Sequence, residues 1–280
     1  MGQTYIGQKP YFGSRYSTRM VKWLLLTASL LAAATAITVP IRSRVELFRG
    51  SGEWRDVTVP EEIDPATTAI ILCDLWDKHW CRGATTRVGV LTEKINPVLR
   101  AARQKGVLII HAPSETMNFY KDAPQRRAML AIPQAAPPVS KDIPTLKLPI
   151  DDSDGGCDTE GDKFYKAWSR QHPAVEIGPN DLISDKGEEV YSALRLRGIK
   201  HLLVAGVHTN MCILNRSFAI RQMTKWGVRC ILMRDLTDAM YDPKDAPQVS
   251  HDQGTNLVIQ HIEQHWAPTM LSSDLLARLR

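Results

Sequence analysis

Short, nearly continuous apolar runs alternating with helix-period stripes constrain this chain most. Thr68–Leu72, Val107–Ile110, His201–Ala205 and Val228–Met233 each read as a strand with both faces buried. Between them, Val90, Leu91, Ile95, Val98, Leu99 and Ala102 form an apolar stripe within residues 88–104, ended by Gly106. Glu188–Leu196 reads as a helix stopped by Gly198, and Leu257–His265 as another. Ala174–Ile177 reads as a weaker third strand and Ala267–Leu271 as a final short one. Strand and helix in alternation predict an α/β fold, a parallel sheet with helices on both faces and right-handed crossovers.

Three stretches stand outside that rhythm. Residues 37–67 read as a polar, irregular N-terminal arm, and residues 117–173 as a long insertion rich in Pro, Asp and Gly, placed to cover a site. Residues 1–36 read as a signal peptide, or alternatively an uncleaved N-terminal anchor. Basic residues precede the apolar stretch from Trp23 to Val39, Ala34-Thr35-Ala36 has the small-x-small form of a cleavage site, and a compact leader can be read from Met20. The expectation is export, with membrane contact only through this segment.

The formal charge of +5 is concentrated in the same segment. Lys9, Arg15, Arg19 and Lys22 precede any acid, so the remainder carries 5 − 4 = +1. No nucleic-acid footprint is left. No glycine fingerprint follows a strand, which argues against a dinucleotide oxidoreductase. The five cysteines are odd in number and include no C-x-x-C pair, so the chain is not a disulfide scaffold, though one bridge is allowed in an oxidising compartment.

Several strands end in a residue able to do chemistry: Asp74, His111, Cys212 and Asp235. Sites in open parallel sheets form beyond the strands' carboxyl ends where the order reverses. Cys212 follows a strand and opens an apolar stripe running to Trp226, with Thr209 and Asn210 as cap types. A helix start favours thiolate over thiol, which proposes a nucleophile with a lowered pKa. The competing reading of a lone cysteine is a small buried hydrophobe. Cys73, adjacent to Asp74, is expected to point away from the site.

The segments AIILCDLWDKHWC and LLVAGVHTNMC resemble the isochorismatase-like cysteine hydrolases, the superfamily of nicotinamidases and N-carbamoyl amide hydrolases. The resemblance runs from about Thr68 to Leu271, without the insertion. It implies a three-layer sandwich around a six-stranded parallel sheet of order 3-2-1-4-5-6 with helices on both faces. It further implies Cys212 as nucleophile, Asp74 as base and a cis peptide between Val207 and His208. Backbone N–H groups of His208 and Cys212 would hold the oxyanion. The implied activity is hydrolysis of a C–N bond in a small amide or carbamoyl compound through a thioester. A homo-oligomer is implied by the same resemblance.

Two departures qualify it. The superfamily's lysine falls near Gly178-Pro179-Asn180, where there is none. Lys166, before Lys163, Arg170 and Lys186, is the candidate replacement. The missing lysine supports an alternative, a catalytically silent binding protein on the same scaffold. The first motif carries Trp76, Asp77, His79 and Trp80 after the acid. Trp76, His79 and His111 are candidates for the substrate pocket. No cofactor is expected; a metal on Asp77, His79 and His111 is the alternative, although the superfamily's Asp-x-His arrangement is not reproduced. The acidic stretch holding Asp151, Asp152, Asp154, Asp158, Glu160 and Asp162 lacks EF-hand spacing and is expected to be a solvated loop. Asp238 is expected to cap or turn.

Overall fold

The computed structural model describes Gly2 and residues 36–280. The segment read as a leader lies almost wholly outside these residues. Among them, no helix is long and apolar enough to cross a membrane.

The core strands are β3 (Thr68–Cys73), β4 (Leu108–Ala112), β5 (Leu182–Ile183), β6 (His201–Val207), β7 (Arg229–Asp238) and β8 (Thr269–Met270), all mutually parallel. Two further strands, β1 (Ile37–Glu46) and β2 (Trp54–Ile63), form an antiparallel hairpin, and β1 joins the edge of β8. The sheet runs β2-β1-β8-β7-β6-β3-β4-β5. It is therefore eight-stranded and mixed, which corrects the expectation of a six-stranded, wholly parallel sheet.

The cause lies in residues 37–63. Alternating Val39 and Ile41, with Ile63 opposite Ile37, bury one face of the hairpin, while Gly50 and Gly52 at positive φ turn the chain. Pro40 and Pro60 break the strand signal in sequence, yet they face each other across the pair, where neither has to donate. The arm is thus sheet rather than irregular chain, within the unit Ala34–Arg280.

Helices cover both faces. α1 (Arg82–Gln104) and α8 (Ser272–Leu279) lie with Ile70, Leu72, Leu203 and Ile231; α4 (Gly187–Leu196), α6 (Ile220–Lys225) and α7 (His251–His265) lie with Ala69, Ile71, Val204 and Leu232. These layers bury β3 and β6 almost completely, so their strands read as unbroken apolar runs. α7 begins earlier than its apolar stripe, at a capping box made by Ser250 and Gln253.

Three boundaries differ from expectation. The third parallel strand is Leu182–Ile183 rather than 174–177; Val175 is buried against the α1 layer without joining the sheet. β7 continues to Asp238 through an irregularity opposite β6, so Asp235 is not at its end and instead accepts from Ser272 N (2.8 Å) and Oγ (2.6 Å). After Cys212 the helix lasts one turn, α5 (Cys212–Asn215), before Arg216 turns to extended backbone.

The insertion contains α2 (Met117–Tyr120) and α3 (Pro124–Leu130) and then runs without regular structure to β5. The chain reverses direction across the sheet between β3 and β6, which are direct neighbours. Gly206 sits at that junction with φ +117°, and a Cβ there would overlap the Cys73 carbonyl. Only glycine lets the two strands approach so closely.

Candidate active site

Asp74 leaves β3 in the left-handed region, φ +48°, a conformation aspartate tolerates better than most residues. Its side chain is fully buried. Oδ1 accepts from Ser114 N at 2.7 Å and Oδ2 from Arg216 Nε at 2.9 Å. Burial raises its pKa above the usual carboxylate value, opposed by Arg216, Ser114 and Cys212.

Cys212 stands beside this carboxylate, half-buried, at the start of α5. Burial and then the Asp74 charge push its thiol pKa well up, against Arg216 and an N–H from the His208 backbone. This corrects the expectation of a lowered pKa. One helical turn makes little dipole, and removal from water next to an anion outweighs it. At Cys212 these surroundings favour the thiol over the thiolate.

The Val207–His208 peptide is cis. Thr209 N donates to Asp238 O at 2.8 Å, while Met211 N and Ile213 N both donate to His208 O, at 3.0 and 3.1 Å, which folds the loop tightly before the cysteine. Val207 is buried in the α1-side layer. The His208 ring is buried, in edge contact with His79 at 4.9 Å, and burial holds its pKa down at about 3.

Arg216 is the cation at this site, and the sequence reading missed it. Its Nε reaches Asp74, its guanidinium lies 5.8 Å from the centre of the Trp76 ring, and its terminal nitrogens face Glu115 at 3.4 and 3.5 Å. Lys166 does not reach the carboxylate. It is exposed and bonds to Glu115 O at 3.1 Å, one step farther out. Arg170 lies over Phe119, and Lys186 stands exposed before α4. Arg216 stands four residues after Cys212, but α5 ends at Asn215, so helical spacing gave no signal for it.

The end of the insertion lies over the site. Trp168 stacks on Trp76 at 4.3 Å with planes 11° apart. Asp77 accepts from Ser169 N (2.9 Å) and Oγ (2.6 Å), and His172 N donates to Leu75 O at 2.6 Å. Trp76 is buried and donates from Nε1 to Ser114 O at 3.1 Å, so it forms a wall beside Arg216. His79 lies nearly parallel to both Trp76 and Trp168, and its pKa is held at about 4 by burial and Arg87.

His111 does not line this space. It is fully buried between Gln171 Oε1 (2.9 Å) and Asp181 Oδ2 (2.8 Å), with Arg103 also on Asp181, and it joins β4 to the two ends of the segment leading to β5. Cys73 is likewise sealed, in the apolar layer that Cys212 packs against. Burial raises its pKa well above that of a free thiol.

Asp77, His79 and His111 do not fit a metal. Asp77 is taken by Ser169, His111 by Asp181 and Gln171, and His79 Nδ1 accepts from Cys81 N at 3.2 Å. Among the described residues, the metal-type donor atoms that do converge are those of Cys81, Cys157 and Asp162, and the two cysteines form a disulfide.

That disulfide ties the entry of α1 to the insertion. Around it half of the acidic stretch docks on the domain through Asp152, Asp158 and Asp162, while Asp151, Asp154 and Glu160 are exposed as in a solvated loop. Asp162 accepts from Arg82 N (2.7 Å) and Thr159 Oγ1 from Gly83 N (3.0 Å), capping a helix that has no side-chain cap of its own. Asp158 pairs with Arg87 at 2.5 Å. Arg87 also holds Asp238, which bonds His251 Nε2 at 2.8 Å.

No family model and no curated protein matches the chain. Solved structures do match it. A cysteine hydrolase from Pseudomonas syringae pv. phaseolicola 1448A is 18% identical, over 78% of this chain and 94% of that one, with a TM-score of 0.49. An isochorismatase family protein from Burkholderia thailandensis is 18% identical over 78% and 97%, TM-score 0.46. A putative isochorismatase hydrolase from Oleispira antarctica is 16% identical over 76% and 97%, TM-score 0.46. At such scores the likeness decides nothing about activity, which has to be argued from the site. These three structures are named as a cysteine hydrolase and as isochorismatase-type proteins.

Proposed function

We propose that the protein is a cysteine hydrolase that cleaves a C–N bond of a small amide or carbamoyl compound through a thioester on Cys212. The observation that carries this reading is the fully buried Asp74 carboxylate beside a half-buried Cys212, where β3 and β6 meet at the reversal of the sheet. An anion is costly to bury, and a structural cysteine needs none beside it.

In the proposed reaction the Cys212 proton passes to Asp74 as sulfur attacks the carbonyl carbon, and the carbonyl electron pair moves to oxygen. Backbone N–H groups of His208 and Cys212 hold that oxygen. The intermediate collapses, the C–N bond breaks with its electron pair on nitrogen, and Asp74 returns the proton to the leaving amine. Water then attacks the thioester with Asp74 as base, the acid is released, and the proton ends on Cys212. A raised thiol pKa suits this sequence, because proton loss is coupled to attack and no standing thiolate is needed.

The unproductive binding protein is the second reading. It rested on the missing lysine of the superfamily, and Arg216 on Asp74, which supplies a cation there, favours the hydrolase over it. We also propose export; the Cys81–Cys157 disulfide supports an oxidising compartment. The test of activity is a panel of small primary amides and N-carbamoyl compounds, assayed for ammonia or amine release beside Cys212→Ala. Release abolished in the variant supports the reading. Unchanged release in the variant, or none from wild type across the panel, counts against it.

A further inference from the structure

We infer that Arg216 is the positioning residue that keeps Asp74 ionised for proton transfer with Cys212. The inference rests on the reading of Cys212 and Asp74 as the reacting pair. Three contacts define the arrangement. Arg216 Nε lies 2.9 Å from Asp74 Oδ2, the guanidinium lies 5.8 Å from the centre of the Trp76 ring, and Glu115 faces the two terminal nitrogens. Glu115 is fixed in turn, with its backbone at φ +64° and its N–H on Asp185 Oδ2 at 2.9 Å. Lys166 closes the chain of charges on Glu115 from the insertion side. The segment after β5, a few residues beyond the Gly178-Pro179-Asn180 stretch where the resemblance placed a lysine, supplies Asp185, which holds a partner of Arg216.

The charged and titratable groups facing Asp74 are Arg216, Cys212 and Cys73, with Glu115 and Lys166 behind Arg216. Arg216 is the one cation in direct contact with the carboxylate among the described residues. A buried carboxyl without it takes up a proton at higher pH and stops accepting one from Cys212. A guanidinium does not shed its proton in the working range. Arg216 therefore cannot protonate the leaving nitrogen, which leaves Asp74 to carry the proton in both directions.

The test needs no substrate. Alkylation of Cys212 by iodoacetamide is followed by peptide mass from about pH 5 to pH 10 in the full chain, with Arg216→Gln, Arg216→Lys and Asp74→Asn. In Arg216→Gln the acid limb of the rate profile is expected to move up by about one pH unit or more. Arg216→Lys should shift it by less than half as much, because an ammonium also supplies a point charge. Asp74→Asn should remove the lower limb. Arg216→Met, which keeps much of the aliphatic stem, replaces the glutamine variant if circular dichroism shows that one unfolded. A neutral variant that folds and superimposes on wild type overturns the inference. A shifted limb in a protein that turns over no amide would retain Arg216 and defeat the hydrolase reading instead.

Discussion

Asn210 Nδ2 donates to Asp152 Oδ2 at 2.7 Å, joining the insertion to the loop two residues before Cys212. Asn210 also holds Met240 through both ends of its amide, at 2.9 Å each, so one buried side chain spans the insertion, the nucleophile loop and the exit of β7. The Cys81–Cys157 disulfide secures the same insertion a few residues on and packs near Met211. The insertion is thus part of the site's scaffold.

Removing that disulfide should therefore loosen the cover and the site together. Closing a loop of sequence separation 76 is worth about 4 kcal/mol in the chain-entropy account. For a chain of this size that corresponds to a melting temperature lower by on the order of 10 °C. Cys81→Ser with Cys157→Ser, or reduction with dithiothreitol, should show it by calorimetry. A change below about 2 °C would mean that the carboxylate contacts alone hold the insertion.

Trp168→Ala tests the cover directly. Losing a stacked, half-buried indole is expected to cost about 2 kcal/mol or more and to expose Cys212. Iodoacetamide should then reach Cys212 several-fold faster than in wild type. If its rate is unchanged while stability falls, Trp168 packs against the wall without guarding the thiol.

Gly206→Ala should be among the most damaging single substitutions in the chain. The new Cβ would meet the Cys73 carbonyl at a φ of +117°, and neither backbone can yield without separating β3 from β6. A loss of about 3 kcal/mol or more is expected, read by urea denaturation or as failure to recover folded protein. A well-folded, active alanine variant would show that the junction is not so tight.

How much of this was legible beforehand follows from local chemistry. β3, β6 and the Asp74–Cys212 juxtaposition were readable because continuous burial writes unbroken apolar runs, and a sheet's reversal brings two strand ends together. Arg216 was hidden because one turn of helix ends before it, and only the tertiary fold shows that it turns back to β3. The role of the acidic stretch was hidden for a similar reason. Its Asp162 carboxylate and Thr159 hydroxyl answer N–H groups at the start of α1, some 75–80 residues away in sequence. The β1–β2 hairpin was obscured by two prolines whose facing positions are a property of the pairing.

Acid should weaken the fold well before carboxylates titrate. His79 and His208 are held neutral at about 4 and about 3, below the usual histidine value, mainly by burial. Below about pH 6.5 the unfolded chain binds protons that these rings refuse, so stability falls as pH drops toward those values. His251 acts oppositely, because Asp238 raises its pKa against burial and its contribution fades as pH rises. His79→Phe keeps an aromatic ring in the stack and removes one refused proton. Its melting temperature should fall less between pH 7 and pH 4.5 than that of wild type. Parallel curves would remove His79 from the account.

The central claim is that a covalent bond forms at Cys212. Wild-type protein mixed with an amide it turns over is quenched in acid within the first turnovers, digested and mapped by mass. The account predicts an adduct of the acyl or carbamoyl mass on the peptide carrying Cys212, lost on hydroxylamine treatment and absent from Cys212→Ala. Steady turnover by wild type together with undiminished turnover by Cys212→Ala, and no adduct on that peptide, would contradict it.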